Sequence, residues 1–228
     1  MTASNETVDV AANLRQVHAR IDEAAHAVGR DPAGVTLVAV SKKQPMDRLE
    51  AALAAGHRAF GENRVQEAQS KFPALRERYP DLRLHLVGPL QSNKAADAVA
   101  LFDAIQTLDR PKIARALAAE MAEQRRAPRL FVQVNVGEEA QKAGIAPAQA
   151  EDFVAWCRAD LGLAIDGLMC IPPHGEDPTL YFALLAEIAN HAGVPEVSMG
   201  MTGDYDLAVR LGATCVRVGS GLFGPRPE

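Results

Sequence analysis

Two adjacent lysines are the first groups in this sequence that could do chemistry. Lys42 and Lys43 follow Ser41 at the end of the apolar run Val35-Thr36-Leu37-Val38-Ala39-Val40. A lysine at the end of a buried strand either snorkels to solvent or presents a partly desolvated amine. Desolvation, helped by a neighbouring positive charge, lowers an ammonium pKa and leaves more of the neutral amine that attacks aldehydes. Strand alternation turns Lys43 away from the side Lys42 faces. Towards the other end of the chain, Ser198-Met199-Gly200-Met201-Thr202-Gly203-Asp204 and Gly219-Ser220-Gly221 could bring backbone N–H groups close to a phosphate, with Ser198, Thr202 and Ser220 as hydroxyl donors. Each is also a plausible ordinary turn. Arg217, in Cys215-Val216-Arg217-Val218-Gly219, shares a face with Gly219 and lies opposite the two valines. Its guanidinium needs an acceptor, either the carboxylate of a structural ion pair or a ligand. A reactive amine, phosphate-holding loops and a buried arginine together suit an aldehyde that carries a phosphate, and pyridoxal phosphate is the obvious candidate.

These positions are far apart in sequence, so the fold must gather them. Short apolar, β-branched runs recur at 35–40, 58–60, 82–87, 101–105, 130–136, 163–169, 196–198 and 214–218. Helix-like stretches separate them at 47–55, 64–78, 92–99, 110–126, 146–158, 179–192 and 205–211. An additional amphipathic helix is expected first, from Val8, Leu14, Val17, Ile21, Ala25 and Val28, stopping near Gly29. Eight strands alternating with helices predict a parallel sheet closed as a single (β/α)8 barrel domain over residues 1–228; an open doubly wound sheet is the runner-up. In a barrel the residues just after the strands collect at one mouth: Ser41 and Lys42, Gly61-Glu62-Asn63, Gly88 to Lys94, and the two glycine segments.

Two other readings compete at that mouth. Gly219-Ser220-Gly221-Leu222-Phe223-Gly224 matches the G-x-G-x-x-G dinucleotide fingerprint, but that fingerprint also needs a following helix, a second strand and an acidic residue about 20 positions on. The sequence ends at Glu228. A barrel enzyme acting on a sugar phosphate would need a carboxylate or histidine base, for which Glu62 or His85 could serve.

Composition narrows the class further. With 228 residues, 48% hydrophobic and 23% charged, the chain has the make-up of a globular domain rather than a disordered or fibrous one. Its 24 basic and 29 acidic residues give a net charge of -5, so no general attraction to nucleic acid or an anionic membrane is expected. Cys157, Cys170 and Cys215 sit in apolar runs and read as buried reduced thiols; the six scattered histidines give no metal pair. Residues 1–9 lack a leader pattern and no run is long enough to span a membrane, which together predict a cytoplasmic protein.

The stretches Ala39-Val40-Ser41-Lys42, Phe60-Gly61-Glu62-Asn63, His85-Leu86-Val87-Gly88-Pro89-Leu90-Gln91-Ser92-Asn93-Lys94, Gly167-Leu168-Met169, Ser198-Met199-Gly200-Met201 and Arg217 to Gly224 occur in this order. They resemble the pyridoxal phosphate homeostasis proteins over about residues 35–224. The resemblance implies a barrel like the N-terminal domain of alanine racemase, a monomer that carries pyridoxal phosphate as a Schiff base and serves vitamin B6 and amino-acid homeostasis without a well-defined reaction. PLP-dependent apoenzymes are its candidate partners. By the same resemblance Lys42 is the Schiff-base lysine, Ser198, Gly200, Gly219 and Ser220 would cradle the phosphate, and Met199 is among the cofactor-binding residues. Asn63 would approach the cofactor, and Arg217 would face the pyridine nitrogen. Thr202 and Cys170 depart from the usual Ser and the usual Ala or Thr of the pattern. The alternative, a PLP-dependent amino-acid racemase, would need a tyrosine from a further domain; of Tyr79, Tyr181 and Tyr205, only Tyr205 lies near the seventh loop.

Overall fold

Eight parallel strands pair in chain order: β1 (Thr36–Val40), β2 (Ala59–Glu62), β3 (Arg83–Leu86), β4 (Ala104–Leu108), β5 (Arg129–Val134), β6 (Gly167–Cys170), β7 (Glu196–Ser198) and β8 (Cys215–Val218). β1 also pairs with β8, with Val38 opposite Arg217, so the sheet closes into a barrel. The computed structural model describes residues 8–225, and the expectation about residues 1–9 lies, for residues 1–7, outside the described residues.

Around the barrel run α2 (Met46–Ala54), α3 (Val65–Arg78), α4 (Ala95–Leu101), α5 (Pro111–Gln124), α6 (Ala150–Leu161), α7 (Thr179–His191) and α8 (Tyr205–Arg210), preceded by α1 (Val10–His26) and followed by the single turn α9 (Ser220–Phe223). Helix α1 starts where the Asp9 side chain accepts the Ala12 N–H at 2.8 Å, and it buries Leu14, Val17 and Ile21 on one face. That face lies against α2, α8 and α9, fastening the start of the chain to its end.

Strand alternation divides the core. Leu37, Phe60, Leu84, Ile105, Leu130, Val132, Leu168 and Val216 join the helices in one continuous outer core. The residues between them point into the barrel, where Ala104, Phe131 and Met169 form a small apolar cluster. A Cβ on Gly61 would lie 2.9 Å from the Val38 side chain and 3.4 Å from those of Val40 and Val87, so this glycine makes room inside the barrel.

Most strand ends fall within two residues of the expected ones, and three strands depart in an informative way, because buried polar residues or loop residues confuse the pattern. β4 runs 104–108 rather than 101–105: Leu101 ends α4, while Gln106 and Thr107, polar but buried, continue the strand. β2 extends through Gly61 and buried Glu62. β6 begins at Gly167, the buried Leu163 and Ile165 before it belonging to the loop after α6.

Candidate functional site

A cavity of about 220 Å³ opens where β1, β2 and β8 end, and Lys42, Asn63, Thr202, Arg217, Gly219 and Ser220 line it. Five of the eight expected site residues therefore meet in one place. Ser198, Met199 and Gly200 are not in the lining; all three are buried.

Lys42 is the second residue past β1 and half-buried. Its backbone is clamped on both sides. The Lys71 ammonium donates to the Ser41 carbonyl at 2.9 Å, to Glu62 Oε1 at 3.1 Å and to Glu67 Oε1 at 2.6 Å. Glu67 in turn accepts the Lys43 N–H, and Lys43 takes up the left-handed φ of 56°. That geometry turns Lys43 into solvent and leaves Lys42 at the cavity. Glu62 is buried; its Oε1 accepts the Ser41 hydroxyl at 2.8 Å, and among the described residues its Oε2 has no hydrogen-bond partner. Burial pushes its pKa above the usual carboxylate range, and the Lys71 charge opposes the rise. The clamp was not expected, although Glu67 and Lys71, four apart on α3, were a visible helical charge pair.

Asn63 reaches the rim because Gly88 lets two loops touch. A Cβ at Gly88 would stand 2.3 Å from the Asn63 carbonyl oxygen. The Thr107 hydroxyl fixes the same loop by donating to the Gly88 carbonyl at 2.9 Å.

The loops after β7 and β8 meet at the opposite rim. In α9 the N–H groups of Leu222 and Phe223 both go to the Gly219 carbonyl, so those of Ser220 and Gly221 have no acceptor within the helix. The Gly221 N–H points at Thr202 Oγ1, 3.3 Å away, and the Thr202 and Ser220 hydroxyl oxygens lie 3.5 Å apart. Hydroxyls and helix-start N–H groups on one wall form a cradle for an oxyanion. Thr202, not Ser198, is the β7-loop hydroxyl at this wall. Gly200 serves packing: at φ 90° its Cβ would fall 2.5 Å from that of Ala208 on α8. The G-x-G-x-x-G match opens only the four-residue α9.

Arg217 forms the floor. It is 4% exposed, and among the described residues no carboxylate pairs with it, which removes the ion-pair explanation. Its guanidinium donates to Ser198 Oγ at 2.6 Å and to the Cys170 carbonyl at 2.7 Å. Burial lowers its pKa from the ordinary arginine value. Lys42 and Arg217 are the ionisable groups of the lining. Glu62 and His85 stand behind it, so neither is placed as a base for a sugar-phosphate reaction. Tyr205 is 3% exposed and sits beneath Arg20, 4.9 Å from its ring centre, away from the cavity.

A family model described as the N-terminal domain of alanine racemase matches residues 11–227. The chain is 40% identical, over 222 residues, to the pyridoxal phosphate homeostasis protein of Pseudomonas aeruginosa, covering 95% of this chain and 96% of that one. It belongs to the pyridoxal phosphate homeostasis protein family. Among solved structures, PipY of Synechococcus elongatus PCC7942 with PLP bound is 37% identical, with a TM-score of 0.82, and the match covers 94% of this chain and all of that one. Alanine racemase of Corynebacterium glutamicum shares the fold at 19% identity and a TM-score of 0.65, and the match takes in 62% of that racemase. The barrel expected from the sequence, like that of alanine racemase, is thus the family's fold. Among the described residues no helix is long and apolar enough to cross a membrane.

Proposed function

We propose that this homeostasis-family barrel binds pyridoxal phosphate at Lys42 and holds it for delivery to PLP-dependent apoenzymes rather than using it in turnover. The observation that carries this reading is the meeting, in one small cavity, of Lys42, an arginine with no carboxylate and a cradle of hydroxyl and N–H donors. The cofactor brings an aldehyde that condenses reversibly with a primary amine and a ring that can accept electrons. Lys42 supplies the amine, held in place by the Lys71 clamp. Thr202, Ser220 and the first N–H groups of α9 would hold the phosphate, and Asn63 lies at the rim. Arg217, a fixed cation in the lining, would disfavour a proton on a pyridine nitrogen set against it and so weaken the electron sink that racemisation or transamination needs.

The lining also supports binding without racemisation. A racemase places a proton-transferring group on each side of the substrate's α-carbon, and here Lys42 is the one group in the lining able to take up and return a proton. The three buried, free thiols suit the reducing cytoplasm. The test is to titrate the protein with pyridoxal phosphate and then incubate it with L-alanine in deuterium oxide. A yellow, saturable complex that yields no D-alanine above the rate of free cofactor is expected. D-alanine formed at about 1 per second or faster, and lost in Lys42→Ala, would establish a racemase instead.

A further inference from the structure

Behind Arg217 a line of buried polar groups crosses the barrel. Arg217 on β8 donates to Ser198 Oγ on β7 at 2.6 Å, and the Ser198 hydroxyl donates to Gln106 Oε1 on β4 at 2.7 Å. The Gln106 amide nitrogen then meets His85 Nδ1 on β3 at 3.0 Å and Cys215 Sγ at 3.6 Å. All four polar side chains are buried: His85 is 7% exposed, Gln106 and Ser198 0%, and Arg217 4%. We propose that His85 and Gln106 are positioning residues for Arg217, acting through Ser198 to fix its guanidinium at the floor of the cavity.

The direction of each bond carries the inference. Arg217 can only donate, so Ser198 must turn a lone pair to it and send its own proton elsewhere. Gln106 Oε1 takes that proton only while the amide keeps its oxygen towards Ser198. A carboxamide has two nearly isosteric orientations, and a fixed acceptor on its nitrogen side selects one. The neutral imidazole is that acceptor, since Nδ1 accepts when the proton sits on Nε2. Burial, reinforced by the charges of Arg129 and Arg83, keeps His85 neutral, with a pKa of about 4. Without His85 the amide can turn its nitrogen to Ser198, whose hydroxyl proton then has no acceptor and whose oxygen is shared between two donors, so Arg217 keeps the Cys170 carbonyl but its bond to Ser198 is no longer fixed. Filling the barrel alone does not require this chain: at the neighbouring level Ala104, Phe131 and Met169 fill it with apolar groups. The chain runs without a break to the one buried cation that lines the cavity.

This inference rests on the cavity being the pyridoxal phosphate site, and a double-mutant cycle tests it separately from that reading. His85→Leu should weaken pyridoxal phosphate binding about tenfold and shift the visible maximum of the complex. Gln106→Leu already breaks the link between His85 and Ser198, so adding His85→Leu to Gln106→Leu should change affinity by less than about twofold. Equal losses in both backgrounds would assign His85 to packing alone and overturn the proposal. So would no loss in either. Should His85→Leu fail to fold, Gln106→Leu cuts the same link with His85 in place and is expected to show the same tenfold loss and shift; unchanged binding would overturn the proposal. In the cofactor-free protein, Arg217 guanidinium nitrogens should give separate, slowly rotating NMR signals that coalesce in Gln106→Leu. Identical signals in the two proteins would overturn the inference, whereas failure of the parent to bind pyridoxal phosphate would overturn only the functional reading.

Discussion

Lys71→Met should reveal how the chain holds its reactive lysine. The substitution keeps most of the aliphatic bulk and removes an ammonium that donates to the Ser41 carbonyl, to Glu62 and to Glu67. The main cost falls on Glu62, whose side chain has no solvent exposure, whose Oε2 is already unpartnered and which would keep only the Ser41 hydroxyl. Breaking a buried ion pair costs about 3 to 5 kcal/mol. The Lys71 side chain is 12% exposed, so the lower figure of about 3 kcal/mol applies near neutral pH. The sign of the pH dependence follows from Glu62. Its pKa is raised by folding, so its contribution is most favourable below its unfolded pKa and declines as pH rises through the folded one. Losing Lys71 raises that folded pKa further and deepens the decline. The gap between parent and variant should therefore grow from about 1 kcal/mol near pH 4.5, where the raised pKa keeps Glu62 largely protonated, to about 3 kcal/mol near pH 8. Urea unfolding of the cofactor-free proteins at both pH values measures it. Lys71→Met with Glu62→Gln should recover at least half of the loss near pH 8. A penalty that does not vary with pH, or no recovery in the double variant, would refute the reasoning.

Thr202→Val removes a hydroxyl from the cavity wall proposed to hold the phosphate and should weaken pyridoxal phosphate binding by about 1.5 to 3 kcal/mol, read by absorbance titration, with little change in stability. Ser198→Ala should instead leave the phosphate contacts intact while moving the visible maximum of the complex, because Ser198 holds Arg217 and does not line the cavity. Gly88→Ala places a methyl 2.3 Å from the Asn63 carbonyl oxygen and should cost about 3 kcal/mol in denaturant unfolding, since backbone has to move to relieve it.

The barrel was legible because its strands are short, mostly apolar runs spaced by amphipathic helices, a pattern that local sequence carries directly. Lys42, Arg217 and the Gly219-Ser220 turn were legible for a related reason: polar residues at the ends of apolar strands stand out. What lay hidden was the polar middle of the barrel. Gln106 read as the end of a strand because buried amides are uncommon, and its partners His85 and Ser198 lie 21 and 92 positions away. Ser198 and Thr202 are both hydroxyls in one short segment, and only the turn after β7 shows that Thr202 reaches the cavity while Ser198 is buried below it. Gly200 read as a phosphate glycine, whereas its tight contact with Ala208 marks it as a seat for α8.

The central claim is that Lys42, rather than its neighbour, bears the cofactor. The direct measurement is borohydride reduction of the pyridoxal phosphate complex followed by peptide mapping, with Lys42→Ala and Lys43→Ala treated in parallel. A single adduct on Lys42, absent from Lys42→Ala and undiminished in Lys43→Ala, is the predicted result. An adduct on Lys43, or a yellow complex that survives in Lys42→Ala, would contradict it.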